Sequence, residues 1–220
     1  MILIRISFLL SILLSQCFTP PATNANSKRA KEIIRKVQKK YQELQSLKAD
    51  FEQEFIWQLA GETQTIKGLL YLRAGNHYRI ETDTQTIVTN GTTVWIYSEP
   101  DNQVIIDSID KSEENSLPKD LLFHYSEEYE PELAGEEKFN GEKTYVLNLL
   151  PKDEDAFIMS MKIWVDASSW LTVKVEQVDI NDNINTYIIG NIKENLQLED
   201  SLFNFEIPPD SEVVDLRESQ

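Results

Sequence analysis

The sequence predicts a single, mainly β domain. Its chain forms an antiparallel meander of about ten or eleven short strands that curls into a barrel or half-barrel, covered by one long helix and one short inserted helix. Three observations predict this. The hydrophobic period changes once, from helical to alternating, after Leu47. Beyond that point turn signals recur at about one strand length. Finally, the 220 residues hold no internal repeat and no linker, and this length suits one domain.

The long helix is expected over 28–47, capped by Ser27. Ile33, Ile34, Val37, Tyr41, Leu44 and Leu47 give it one apolar face. The first strand follows, with Phe51, Phe55, Trp57 and Leu59 on one side and Asp50, Glu52, Glu54 and Gln58 on the other. Gly61-Glu62 turns the chain. Leu70 and Leu72 then mark the second strand, and Tyr78 and Ile80 the third. Gln85 to Thr89 and Thr93 to Tyr97 flank Asn90-Gly91, a strong two-residue hairpin signal. Gln103 to Asp107 returns. Leu117 to Tyr125 reads as the short helix, opened by Pro118 and carrying the crowded Leu121, Leu122 and Phe123, a lid in form. Glu127 to Glu137 reads as an acidic loop. Strands resume with Tyr145, Leu147 and Leu149, then Met159, Met161, Ile163 and Val165. Leu171, Val173 and Val175 come next, then Ile184, Thr186 and Ile188. Phe203, Phe205 and Ile207 precede Pro208-Pro209 and an exposed tail.

Composition excludes several function classes. Twenty-one Lys and Arg against 37 Asp and Glu leave a net charge of -16, which no phosphate backbone or anionic lipid surface attracts. Nucleic acid is therefore not an expected partner. The one cysteine, Cys17, cannot form an internal disulfide. Asp179-Ile180-Asn181-Asp182-Asn183 begins like a calcium loop, but Ile184 and Gly190 stand where glycine and glutamate are required, so a polar hairpin turn is expected. His77 and His124 show no metal-ligand spacing. No G-x-S-x-G motif or glycine-rich phosphate loop occurs. Catalytic residues, metal and cofactor are all expected to be absent.

The N-terminus has the layout of a secretory signal peptide over 1–25. Arg5 leads the apolar run Ile6 to Leu14, and Thr23-Asn24-Ala25 offers a small-residue cleavage site. Cys17, after Leu14-Ser15-Gln16, is either part of the discarded leader or an acylated anchor. The domain itself is expected over 26–220.

Inside the meander, Phe51, Phe55, Trp57, Leu70, Leu72, Tyr78, Ile80, Tyr145, Leu147 and Met159 should share the covered face. They either fill a core or line an apolar pocket.

Several segments, in order, resemble the LolA family of periplasmic lipoprotein carriers. They are Leu47 to Phe55, Tyr78-Arg79-Ile80, Thr86 to Tyr97 with its Asn-Gly turn and Trp-x-Tyr strand, Pro118 with Leu121-Leu122, Tyr145-Val146-Leu147 with Pro151-Lys152, and Phe203-x-Phe205-x-x-Pro208-Pro209. The resemblance implies an unclosed antiparallel barrel whose apolar side holds the acyl chains of lipoproteins. It implies a monomeric, non-enzymatic carrier in the periplasm of a Gram-negative cell. Such a carrier takes cargo from an inner-membrane ABC-type lipoprotein release complex and passes it to an outer-membrane lipoprotein acceptor. It also implies a lid of Leu121, Leu122 and Phe123. The family's Arg-Pro before the third strand is replaced by Ala74-Gly75, so the lid latch transfers to Arg73, one position earlier. Two alternatives belong to the same fold: a membrane-anchored acceptor of the LolB kind acylated at Cys17, and a periplasmic domain that senses lipoproteins and binds a partner.

Overall fold

A computed structural model describes residues 22–109 and 128–217. The helix α1 spans Ala22–Glu43. It starts before the expected Ser27 cap and ends before Leu44. Ser27 therefore lies inside it, with its hydroxyl donating to Glu130 Oε1 at 3.4 Å. Leu47 belongs to the first strand instead, because its apolar side chain serves the same core from either conformation. Gln45 and Ser46 fix the break: Gln45 N–H donates to Asn195 Oδ1 and Ser46 Oγ donates to Leu196 O, at 3.1 and 2.6 Å.

Twelve strands follow: β1 Ser46–Trp57, β2 Glu62–Arg73, β3 His77–Thr82, β4 Gln85–Asn90, β5 Thr93–Ser98, β6 Gln103–Ser108, β7 Tyr129–Phe139, β8 Glu142–Pro151, β9 Ile158–Asp166, β10 Thr172–Asp179, β11 Ile184–Glu194 and β12 Glu212–Asp215. They form one sheet in the order β12-β6-β5-β4-β3-β2-β1-β11-β10-β9-β8-β7. The margins β12 and β7 do not pair, so the sheet is unclosed. All pairings are antiparallel except β12 with β6. The short inserted helix, the lid residues Leu121, Leu122 and Phe123, His124 and leader residues 1–21 with Cys17 lie outside the described residues, whereas residues 22–25 of the expected leader form the start of α1.

Turn chemistry accounts for most hairpins. Asn140 and Gly141 both hold positive φ, at 51° and 88°. The β4–β5 loop is Gly91-Thr92, one residue later than expected. Asn90 remains in the strand and its Oδ1 accepts from the Thr92 and Thr93 N–H groups at 3.1 and 3.0 Å. Asp179 organises the polar β10–β11 turn, accepting from Asn181 N–H at 2.7 Å and Asn183 N–H at 3.0 Å.

Two segments differ from expectation. Glu127 to Glu137 is mostly strand β7, not loop. Tyr129, Pro131 and Leu133 are buried, while the intervening Glu130 and Glu132 are not. A proline is tolerated there because β7 is a margin strand with a free N–H side. The C-terminus is also built in. Asp200–Phe203 forms a 3₁₀ turn with Phe203 buried, and β12 extends the sheet past the prolines.

Candidate functional site

Side chains opposite one another across paired strands share a face. Leu47, Ala49 and Phe51 of β1 therefore share a face with Leu72, Leu70 and Gly68 of β2. Tyr78 and Ile80 of β3 continue it. On the other side of β1 it runs through Ile189 and Tyr187 of β11, then Val175 of β10, Ile163 of β9 and Leu147 of β8. This inner face is the one α1 covers: Ile33, Ile34, Val37 and Tyr41 join Leu47, Leu70, Leu147, Ile163, Val175 and Ile189 in one buried cluster.

The ten expected pocket residues divide by depth. Leu70 and Leu147 are buried within that cluster, and Tyr78 is buried too. Phe51, Leu72, Ile80 and Tyr145 are half-buried and pack against it. Phe55 is half-buried two inward positions beyond Phe51 on β1. Trp57 and Met159 keep 38% and 45% of their surface exposed. Leu59 is in the β1–β2 turn and fully exposed, not on the face. Phe55 and Trp57 meet edge to face, with ring centroids 4.4 Å apart. Tyr145 serves as a seat for α1. It stacks on Trp170 at 5.6 Å, with Arg29 5.7 Å above its own ring and Lys36 4.0 Å from the Trp170 ring. Ion pairs Arg29–Glu136 (2.8 Å) and Lys40–Glu194 (2.5 Å) reinforce this docking.

Sequence reading missed a polar trio on the same face. Gln53 lies between Phe51 and Phe55, opposite Tyr187, and Asn185 lies opposite Phe55. Gln53 Nε2 donates to Asn185 Oδ1 at 3.1 Å and to Tyr187 Oη at 3.2 Å. Asn185 Nδ2 donates to Tyr187 Oη at 2.8 Å. Burial pushes the Tyr187 phenol up, against the lowering effect of the Asn185 bond, so it stays protonated. The sequence signal was Gln53 itself, which interrupts an otherwise apolar run of odd positions. On β11 the inward set is Asn185, Tyr187 and Ile189, not Ile184, Thr186 and Ile188. A one-residue choice of register exchanges the faces.

Arg73 does not face this surface. It projects from the outer face, where Nη1 donates to Asp200 Oδ1 at 2.6 Å and the guanidinium lies 4.4 Å from the Phe203 ring. His77 meets the same ring at 5.5 Å, and Tyr97 meets Phe205 at 5.8 Å. The residue expected as a lid latch thus straps the C-terminal segment to the back of the sheet, because alternation along β2 turns it away from Leu72.

A cleft of about 280 Å³ beside β11 is lined by Asn140, Glu142, Asp166, Asn191 and Glu194, with Leu171 and Ile189. Phe139, Val173 and Ile192 line it as well, so three carboxylates stand beside an apolar wall. Among the described residues no cluster of His, Cys, Asp and Glu could hold a metal ion. No described helix is long and apolar enough to cross a membrane.

The family model described as outer membrane lipoprotein carrier protein LolA matches residues 42–206. An outer-membrane lipoprotein carrier protein of Francisella philomiragia is 26% identical over 183 residues, covering 80% of this chain and 85% of that protein. An uncharacterized protein of Methanocaldococcus jannaschii is 28% identical over 184 residues, 82% of this chain; the chain spans only 52% of that relative's length. An uncharacterized conserved protein of Thermus thermophilus shares the fold, with a TM-score of 0.59 at 15% identity over 85% of this chain and 99% of the other.

Proposed function

The chain belongs to the LolA family of outer membrane lipoprotein carrier proteins, and from that premise we propose that it carries lipoproteins by laying their acyl chains on the face that α1 only partly covers. One observation carries the reading. The inner face is apolar well beyond the buried cluster, and Phe51, Phe55, Ile80, Trp57 and Met159 are left half-buried or exposed there. In a plain packed core such side chains would be covered.

In this reading the protein is a periplasmic shuttle. It accepts acylated lipoproteins from an inner-membrane ABC-type release complex and hands them to an outer-membrane acceptor. It makes and breaks no bond. The first 25 residues direct export, and Cys17 leaves with them. β6 and β7 stand near opposite margins of the sheet, and the sequence joining them carries Leu121, Leu122 and Phe123, to which the lid is assigned.

The test is native mass spectrometry of the purified chain offered a triacylated lipopeptide. A one-to-one complex is expected, and Leu122→Glu should lower its abundance without unfolding the protein. A folded wild-type chain that stays empty would overturn the carrier reading.

A further inference from the structure

We propose that Gln53, Asn185 and Tyr187 form the carbonyl site of the acyl-binding face, which takes the ester or amide oxygen at the head of a fatty-acyl chain; the inference rests on the carrier reading and names the part of the ligand that the apolar residues cannot hold.

The trio is a polar island. Along β1 its neighbours are Phe51 and Phe55. Ile66 of β2 faces Gln53, and Val175 of β10 faces Tyr187. It sits between the cluster under α1, which includes Ile189 and Val175, and the exposed end of the face at Trp57 and Met159. A chain lying over that end brings its head group to the trio.

The hydrogen bonds within the trio leave a donor pointing outward. Tyr187 Oη accepts from both Gln53 Nε2 and Asn185 Nδ2. Its own proton therefore points away from both amides, and among the described residues no group accepts it. All three side chains are half-buried, at the boundary between the buried cluster, against which Tyr187 packs, and the open part of the face. In an apolar, partly dry setting an uncharged acceptor reaches such a donor at a far lower desolvation cost than an anion does.

Charge selects the same class. The inward positions of β1 (47, 49, 51, 53, 55 and 57) and of β11 (185, 187 and 189) carry no Lys or Arg. Nothing there would hold a phosphate. A carbonyl oxygen needs only the donors present.

The test uses calorimetry on the full folded chain with two lipopeptides of equal chain length. One carries the diacylglyceryl-cysteine esters; the other is its dialkyl-ether counterpart, which lacks those carbonyls. Wild type should bind the ester form about three- to tenfold more tightly, as one hydrogen bond is worth. Tyr187→Phe should abolish that preference. Asn185→Ala, whose loss loosens the same phenol, should reduce the preference and serves if Tyr187→Phe folds poorly. Equal wild-type affinity for the two ligands, or an unchanged preference in both variants, overturns the carbonyl site alone. Wild type that binds neither ligand overturns the carrier reading with it. Short-chain phosphatidylcholine separates the two sources of an acyl ester. If it binds with the same dependence on Tyr187, the site stands but its ligand is a phospholipid, which overturns the lipoprotein assignment.

Discussion

Replacing Trp57 with alanine isolates what the exposed part of the face contributes. Trp57 is 38% exposed at the end of β1. An aromatic side chain offers about 150–250 Å² to bury, so the exposed share is about 60–95 Å². At about 25 cal/mol per Å², a ligand that covers it gains about 1.5–2.4 kcal/mol. Trp57→Ala should therefore weaken lipopeptide binding by about ten- to fiftyfold. The cost in stability is at least as large: the covered remainder of the ring, about 95–155 Å² and packed edge to face on Phe55, is worth about 2.3–3.9 kcal/mol by the same arithmetic, so the affinity is read only on a variant shown to be folded. The assay is calorimetric titration with a triacylated lipopeptide below its micelle concentration, beside a urea melt of each variant. Leu150→Ala is the control: Leu150 is 50% exposed but lies on the outer face, between the inward Leu149 and the turn. It should leave the affinity unchanged. A folded Trp57→Ala that binds as wild type, or an equal loss in Leu150→Ala, would refute the assignment of the ligand to the inner face.

Other perturbations test the frame that presents this face. Phe203→Ala should destabilise the C-terminal strap by about 3–5 kcal/mol locally, since the ring is buried against Arg73 and His77; hydrogen exchange should rise at β12 and β6. Arg73→Ala should loosen the same strap while leaving lipopeptide affinity intact, the opposite of what a lid latch would give. Gly68→Ala should lower the urea midpoint by about 1–3 kcal/mol in stability, because a Cβ there would sit 2.1 Å from the Glu81 carbonyl and 2.6 Å from the Phe51 ring; adding Phe51→Leu should restore only part, as the carbonyl stays. Asp166 titrates below the usual carboxylate range: burial raises it, but the hydroxyls and N–H groups of Ser168 and Ser169 hold it down. Its contribution is present above the unfolded pKa of about 3.9 and is lost as pH falls through the lower folded value. Asp166→Asn should be less stable than wild type at neutral pH, and the two should converge in urea melts as the pH is lowered from the unfolded carboxylate pKa through the lower folded one.

The parts of this fold that were legible in the sequence are those set by local chemistry. Asn140-Gly141 demands positive φ, the Asp179 turn is closed by its own side chain, and Val94 to Tyr97 alternates as a strand between two turns. What was not legible depends on distant partners. Glu127 to Glu137 looked like a loop because six of its residues are glutamate and Pro131 and Gly135 interrupt the rest, yet three inward positions at a sheet margin were enough for a strand. Arg73 stands one position off the family's arginine, which by strand alternation already turns it to the other face, but only the pairing with His77 reveals that it shares that face with Phe203. Leu44 and Leu47 extended the helical period although the chain had already turned. The polar trio was hidden for a related reason. Gln53 and Asn185 are 132 positions apart, and neither is remarkable until β1 pairs with β11.

The half-covered face also bears on how cargo could be released. Full burial of a chain of about 16 methylenes is worth about 13 kcal/mol, so three chains would reach about 40 kcal/mol, beyond the ceiling of about 20 kcal/mol for any noncovalent complex. A carrier that buried all three completely could not let go. Here α1 and the cluster around Leu147 and Ile163 already occupy part of the inner face, and Trp57 and Met159 leave the remainder open to water. A chain on such a surface loses only part of its contact with water at each methylene. Complete burial would raise affinity about fourfold per added methylene, and half burial about twofold. A lipopeptide series from 8 to 16 carbons should therefore follow the shallower slope and flatten once the exposed end of the face, at Phe55, Trp57 and Met159, is filled. A fourfold slope sustained to the longest chain would mean a closed tunnel, and would contradict both the unclosed sheet and the exposed tryptophan.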